Sequence, residues 1–452
     1  MTALATRPFS EDRRQILHMS MAAFALLLRV LNWEWALVCA LAALSFNLAL
    51  LPRLGGRQFY RPADQARGYP IGIVFYPLSV TLLILVFTDR LDIVAAAWGV
   101  MAFGDGMATI VGRRARGGQL PWNTDKTAAG LAAFLVCGGL GGALLCWWVR
   151  PAVQPEPSLV FAIGAPIAAA LAAGFAETVP IKLDDNISVP AIAAVTLWAA
   201  SLMTRGVAGA AWPDVSMALG PALIANAIVG WGGWRLRTVS TPGAIVGAVI
   251  GIIVYACGGP AAWLLLLATF VSAAVTSRLG LRRKVLLGIA EDRGGRRGPG
   301  NAIANCGVAA GAALLGVLTP YAGPARLALV AALAAAGSDT VASEVGKAWG
   351  SRTFLITRLT RVRPGTSGAM SLEGTAAGLV AAFALAAIGV ATSLIPWSTV
   401  GFVVVGATAG ALVESVLGAT LEASGVLDND TLNFINTAVS VLVTLLLAAA
   451  RL

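Results

Sequence analysis

Two short stretches carry the first sign of chemistry. LDDN begins at Leu183 and supplies Asp184, Asp185 and Asn186; LDND begins at Leu427 and supplies Asp428 and Asp430. Each closes an ordered set. The first runs GDGMATIVGRR from Gly104, TDKTAAGLAAF from Thr124, FAETVP from Phe175, then LDDN. The second runs GSDTVASEVGK from Gly337, RVRPGTSGAMSLEGTAAGL from Arg361, LVESVLGATLE from Leu412, then LDND. In both, an Asp ends one apolar stretch (Asp105, Asp339). A basic loop and a Gly-rich segment follow, a Glu comes on the return (Glu177, Glu414), and an acid pair ends the set. TAAGL occurs in each, at Thr127 and Thr375. Acids at or near membrane depth are costly and mark a site. A carboxylate at a helix end suits Mg²⁺, which keeps waters and takes up substrate phosphates. Neighbouring Arg and Lys side chains suit phosphate oxygens. Metal, cations and a membrane surface together point to phosphoryl transfer to or from a lipid.

The elements that must position these residues are membrane helices. Of 452 residues, 58% are hydrophobic and only 12% charged, whereas a soluble chain keeps roughly a quarter charged. The segments of about ten alternating residues that a transmembrane barrel needs do not occur. The reading is an all-α, polytopic transmembrane protein of about fifteen spans in two tandem modules, 1–207 and 208–452. Span centres include Phe24, Val195, Val249 and Leu266, and the first apolar run, from near Ile16, is read as a retained span. Basic residues fall in alternate loops: Arg53 to Arg67, Arg113 to Lys126, Lys182, Arg235 and Arg237, Arg282 to Arg297, and Lys347 to Arg363. The positive-inside rule then places the N-terminus and both acid sets in the cytoplasm and the C-terminus outside, in a bacterial-type inner membrane.

Other chemistries fit poorly. The net charge of +10 is spread over many short loops, which suits topology anchors and not a nucleic-acid surface. His18 is the single histidine and reads as interfacial, which disfavours histidine-centred catalysis. The five cysteines form no CxxC and read as packing residues. There is no GxxxxGK[ST], no kinase HRD or DFG set and no HExxH. A transporter built of inverted repeats is one alternative, but the corresponding motifs of the two halves are read on the same side. A cytidylyltransferase making a CDP-lipid is another.

FGDGMATIVGRR (Phe103 to Arg114), LPWNTDKTAAG (Leu120 to Gly130) and FAETVPIKLDDNISVP (Phe175 to Pro190) resemble the phytol kinase branch of the polyprenol kinase family. RGPGNAIANC (Arg297 to Cys306), GSDTVASEVGK, RVRPGTSGAMSLEGTAAG, ESVLGATLE and LDNDTLNFIN resemble the family typified by plant phytyl-phosphate kinase. The resemblance implies a fusion performing consecutive reactions. The first module would phosphorylate a prenyl alcohol of the phytol, farnesol or geranylgeraniol class; the second would extend the monophosphate to the diphosphate. CTP or another nucleoside triphosphate would be the donor, with Mg²⁺. The expected partners are prenyl alcohols and phosphates, the nucleotide and the bilayer.

Roles follow on that basis. In the first site Asp105, Asp184 and Asp185 hold Mg²⁺ or act as base, Glu177 completes the acidic shell, Arg113 and Lys126 bind phosphates, and Asn123 and Asn186 orient substrate. In the second, Asp339, Glu344, Asp428 and Asp430 form the acidic shell. Lys347, Arg361 and Arg363 bind phosphates, and the PGTSG loop with Thr366 offers backbone N–H groups to an anion. Glu373, Glu414, Asn301, Asn305 and Asn436 stand behind these. An attacking alcohol must lose a proton and needs a base. A monophosphate is already an anionic nucleophile and needs positive charge to meet a second anion. The second half carries the denser cationic set, including Arg282, Arg283, Lys284, Arg293, Arg296 and Arg297.

Overall fold

The computed structural model describes residues 11–51, 53, 71–115, 117–120, 123–179, 184–289 and 296–451. Of the expected anchors, Arg57, Arg61, Arg67, Arg116, Lys182 and Arg293 lie outside the described residues. The described residues are all-α but for two small sheets, and the chain divides into two compact units, Met1–Ser201 and Leu202–Leu452. The division precedes a helix starting at Arg205, whose first turn a boundary at residue 207 would cut.

The first unit comprises α1 (Glu11–Ser20) and a 3₁₀ turn (Met21–Arg29), α2 (Trp33–Ser45), α3 (Ile71–Val86), α4 (Leu91–Gly99), a π-helical turn (Val100–Asp105) and α5 (Gly106–Arg114). A short hairpin, β1 (Gln119–Leu120) and β2 (Asn123–Thr127), leads to α6 (Ala128–Val149), α7 (Leu159–Glu177) and α8 (Asp185–Ser201). Every residue from Leu91 to Ala102 is buried, as expected of a helix that is apolar all round. Asp92 on it is fully buried but takes two 2.9 Å hydrogen bonds from the Arg90 guanidinium, the paired state a buried acid requires. Glycines let α6 approach this helix closely. Gly138 sits on the backbone at Gly104, and Gly99 on that of Gly141.

The second unit comprises α9 (Arg205–Arg235), α10 (Thr241–Arg278), α11 (Leu281–Leu286), α12 (Pro299–Leu318) and α13 (Ala322–Trp349). A three-stranded sheet follows, β3 (Thr353–Leu355), β4 (Thr360–Arg361) and β5 (Ala369–Ser371), in the order β4-β3-β5. Then come α14 (Leu372–Ala391), α15 (Val400–Leu417), a π-helical turn (Gly418–Glu422) and α16 (Asn429–Ala449). Here α13 is the central helix, buried from Leu327 to Ser338. In each unit the long buried stretch of the central helix leads up to the sequence's first conspicuous acid, Asp105 or Asp339.

Among the described residues eleven helices are long and apolar enough to cross a membrane, with Gly72–Val86 a shorter apolar one. The expected fifteen spans exceed that number partly because α10 carries two expected centres, Val249 and Leu266. The helix breaks at Gly259, with φ 83° and ψ 173°, just before Pro260; glycine takes such a φ without steric cost. Gly243 and Ala273 line one pocket, yet a straight helix would hold them about 45 Å apart. The chain thus doubles back at Gly259, and α10 is two antiparallel helices.

Both units use the same joint beside their acid. Thr127 caps α6 by accepting from the N–H of Gly130, and Gly130 packs on the carbonyl of Ala108 and the Cα of Gly112. Ser371 caps α14 by accepting from the N–H of Gly374, which packs on the carbonyl of Ala342 and the Cα of Gly346. Asp105 and Asp339 each lie three residues before that alanine. The structural partner of Thr127–Gly130 is thus Ser371–Gly374, one helical turn ahead of the shared TAAGL string. The identical letters are not the equivalent positions.

Candidate functional site

In the first unit the ends of α7 and α8, the π turn and β2 converge. Asp105, Glu177 and Asp185 each offer a carboxylate oxygen, all within 4.8 Å of one another. The π turn, a distortion frequent at functional sites, carries Asp105 to this point. Lys126 reaches in from β2, its Nζ 2.7 Å from Glu177 Oε1 and 3.4 Å from Asp185 Oδ2. Burial alone would disfavour its charge, but Asp185 and Glu177 outweigh that and raise its pKa above the ordinary lysine range. Asn123 holds the hairpin to the end of α7, donating to the carbonyl of Thr178 at 3.0 Å.

Beside the acids lies a cavity of about 260 Å³ lined by Thr109, Gly112, Arg113, Lys126, Thr127 and Thr178, among others. Two cations and three nearby carboxylates present the donor set that a divalent ion with a polyphosphate demands. Arg113 also faces Asp12 at 3.7 Å, and its neighbour Arg114 pairs with the same Asp12 at 2.9 Å.

Two expectations for this unit change. Asp184 does not join the triad. Its Oδ1 accepts from the backbone N–H and side-chain amide of Asn186 at 2.9 and 2.8 Å, so it caps its own helix while Asp185, one residue on, points to the cluster. His18 is no mere interfacial residue. Its Nε2 stands 3.6 Å from Asp105 Oδ2, its ring stacks edge-on against Tyr76, and Tyr76 Oη accepts from Trp98 Nε1 at 2.7 Å. Nothing in the local sequence tied His18 to an acid 87 residues later.

In the second unit a cavity of about 340 Å³ is lined by Asp339, Lys347, Glu414, Glu422, Asn429 and the loop Pro364–Gly368, among others. Asp339 and Glu414 both line it and are close enough to act on each other's charge, and Asn436 Nδ2 donates to Glu414 at 2.8 Å. Gly365 and Gly368 have φ of 86° and 72°, and a Cβ on Gly368 would overlap the backbone at Ser415 and Ala419. The amides of Gly365, Ser367 and Gly368 make no hydrogen bond with other described residues. Thr366 lines the cavity but its hydroxyl donates to the carbonyl of Arg363 at 2.8 Å. Ser367 donates its hydroxyl to Glu422.

The acidic shell expected here is rearranged. Asp428 caps α16, its Oδ1 accepting from the N–H and hydroxyl of Thr431 at 2.9 and 2.7 Å. Asp430 packs against Gly300 at the start of α12. Glu344 is buried between Lys284 and Lys347, so its charge is spent on an ion pair with Lys284. Arg361 lies over the Phe354 ring at 5.6 Å; it and Arg363 are exposed and do not line the cavity. The carboxylate partner of Asp339 is instead Glu414.

The capping pattern fixes the register of the two acidic motifs. Asp184 and Asp428 are equivalent caps, so Asp185 corresponds to Asn429. The first site gathers three carboxylates; at the equivalent point the second has two and an amide. Among the described residues Asp105, Glu177 and Asp185 are the one group of three potential metal ligands.

Residues 224–441 match a family model described as integral membrane protein DUF92. An uncharacterized membrane protein of Synechocystis is 43% identical over 192 residues, 42% of this chain and 74% of that protein. Protein VTE6, chloroplastic, of Arabidopsis thaliana is 34% identical over 216 residues, 46% of this chain and 65% of the relative. A probable phytol kinase, chloroplastic, of Triticum aestivum is 36% identical over 121 residues, 26% of this chain and 40% of the relative. No solved structure matches the chain significantly. The chain belongs to the DUF92 integral membrane family.

Proposed function

We propose that this DUF92-family chain is a membrane isoprenoid kinase acting twice, as a fusion of two kinase units. The first unit phosphorylates a prenyl alcohol and the second phosphorylates the resulting monophosphate, each from a nucleoside triphosphate such as CTP. The observation that carries the reading is the triad of Asp105, Glu177 and Asp185 bridged by Lys126. The relatives named as phytol kinases support the reaction class.

The triad fits a divalent cation such as Mg²⁺, which when bound would neutralise phosphate oxygens of the donor. Lys126 and Arg113 hold the triphosphate in the adjoining cavity. The alcohol oxygen attacks the γ-phosphorus, the bond to the β–γ bridging oxygen breaks, and the hydroxyl proton passes to the Asp105–His18 pair. The second acceptor is already anionic and needs no base. Asn429 there withholds the negative charge that Asp185 would bring, while Lys347 and the loop Gly365–Gly368 receive phosphate oxygens.

The reaction is tested with purified protein in detergent, labelled geranylgeraniol, farnesol or phytol, CTP or ATP, and Mg²⁺. Monophosphate followed by diphosphate, with nucleoside diphosphate released, is the expected result. CDP-lipid with pyrophosphate would assign a cytidylyltransferase instead, and no lipid product at all would remove the kinase reading.

A further inference from the structure

The motif RGPGNAIANC and the doubled-back α10 have no part in the phosphoryl chemistry above, yet they meet. A slot in the second unit runs between the two halves of α10, α9, α12 and α13. Its walls are apolar, with Val229, Ile250, Leu266 and Phe270 among them. Small residues on the first half of α10, Gly243, Ala244 and Gly247, make its width. Its polar residues include Arg297 and Asn301, and the charge of Arg297 is felt by Asp339 across α13. Ala336 and Thr340 of α13 also line the slot, while Asp339, next to Thr340, lines the cavity with Lys347 and Glu414. One turn of α13 thus separates a greasy channel with a cation from the acidic site.

Resting on the kinase reading, we propose that this slot holds the hydrocarbon chain of the prenyl monophosphate, with the phosphate on Arg297 and Asn301. Apolar walls favour the chain by burial, on the order of 25 cal/mol per Å². An arginine at the mouth of a hydrocarbon slot, close enough to Asp339 to act on its charge, suits a phosphate head in a fork geometry. A neutral alcohol gains nothing from Arg297. The slot therefore selects the monophosphate over its precursor, and its depth at Gly247 sets how long a chain enters. A Cβ on Gly247 meets nothing within 4 Å, so a side chain there starts into the open space of the slot.

Two readouts test this on the full-length protein. Native mass spectrometry in detergent measures binding of geranylgeranyl monophosphate, geranylgeraniol and a phospholipid; turnover with CTP and Mg²⁺ is followed for geranyl and geranylgeranyl monophosphate. Gly247→Leu is expected to lower binding and turnover of the geranylgeranyl compound at least tenfold while the geranyl compound is converted within twofold of wild type. Arg297→Gln is expected to weaken binding of the monophosphate at least tenfold and leave the alcohol unchanged. Equal effects on both chain lengths, no effect of either variant, or phospholipid displacing the monophosphate would overturn the slot. Chain-length-dependent binding without turnover would keep the slot and remove the kinase reading; turnover indifferent to both variants would do the reverse.

Discussion

At the scale of single residues the account turns on Asp185 and Asn429, equivalent positions that differ by one charge. Asn429→Asp is expected to lower conversion of prenyl monophosphate at least tenfold, about 1.4 kcal/mol, because a further carboxylate beside Asp339 and Glu414 repels an anionic acceptor. Added alcohol should still give monophosphate at the wild-type rate, measured by product chromatography. Lys126→Met is expected to cost about 10²–10³ in kcat/KM for the alcohol, the scale of losing one preorganised charge contact. It also leaves Glu177 and Asp185 without their counter-charge. Much of this was legible in the sequence: Asp105, Glu177, Asp185, Lys126 and Arg113 meet in one place as their order suggested. The register within LDDN and LDND was not. Adjacent residues at a helix start diverge into cap and site, and composition alone does not separate Asp184 from Asp185 or Asp428 from Asn429. Arg361 and Arg363 misled for a similar reason: strand and loop direction, not charge count, decides what reaches a cavity.

At the scale of elements, one largely buried helix per unit delivers the acid, and glycine contacts fix its height. Gly104→Val should overlap the Phe134 ring and destabilise the first unit by about 1–3 kcal/mol, as overpacking does, read as a lower Tm in detergent. The buried pair of Lys284 and Glu344, 2% and 3% exposed, locks α11 to α13. Lys284→Met alone is expected to cost about 3–5 kcal/mol by stranding Glu344. Adding Glu344→Leu should recover most of that stability and keep diphosphate formation within a few-fold, since Glu344 serves structure and not the site. Loss of activity in a stable double variant would return Glu344 to the acidic shell. The hairpin inside α10 was readable as two spans because Val249 and Leu266 centre separate apolar runs around GGP. What apolar runs leave out is which helix becomes central, because that depends on contacts around the whole circumference.

At the scale of the molecule, each unit carries a set of its own: acid on the central helix, cation, glycine joint, glutamate and capped acidic motif. Among the described residues, each of these sets is drawn from its own unit. Mixing Asp105→Asn and Asp339→Asn proteins in one vesicle population should therefore restore diphosphate from alcohol, since monophosphate made by one molecule can be used by another through the bilayer. The most direct measurement of the division of labour supplies each variant with each acceptor, labelled geranylgeraniol or its monophosphate, together with CTP and Mg²⁺. Asp105→Asn should make no monophosphate from the alcohol yet convert supplied monophosphate at the wild-type rate, and Asp339→Asn should accumulate monophosphate and stop there. Both variants losing both steps to the same degree would contradict two independent sites.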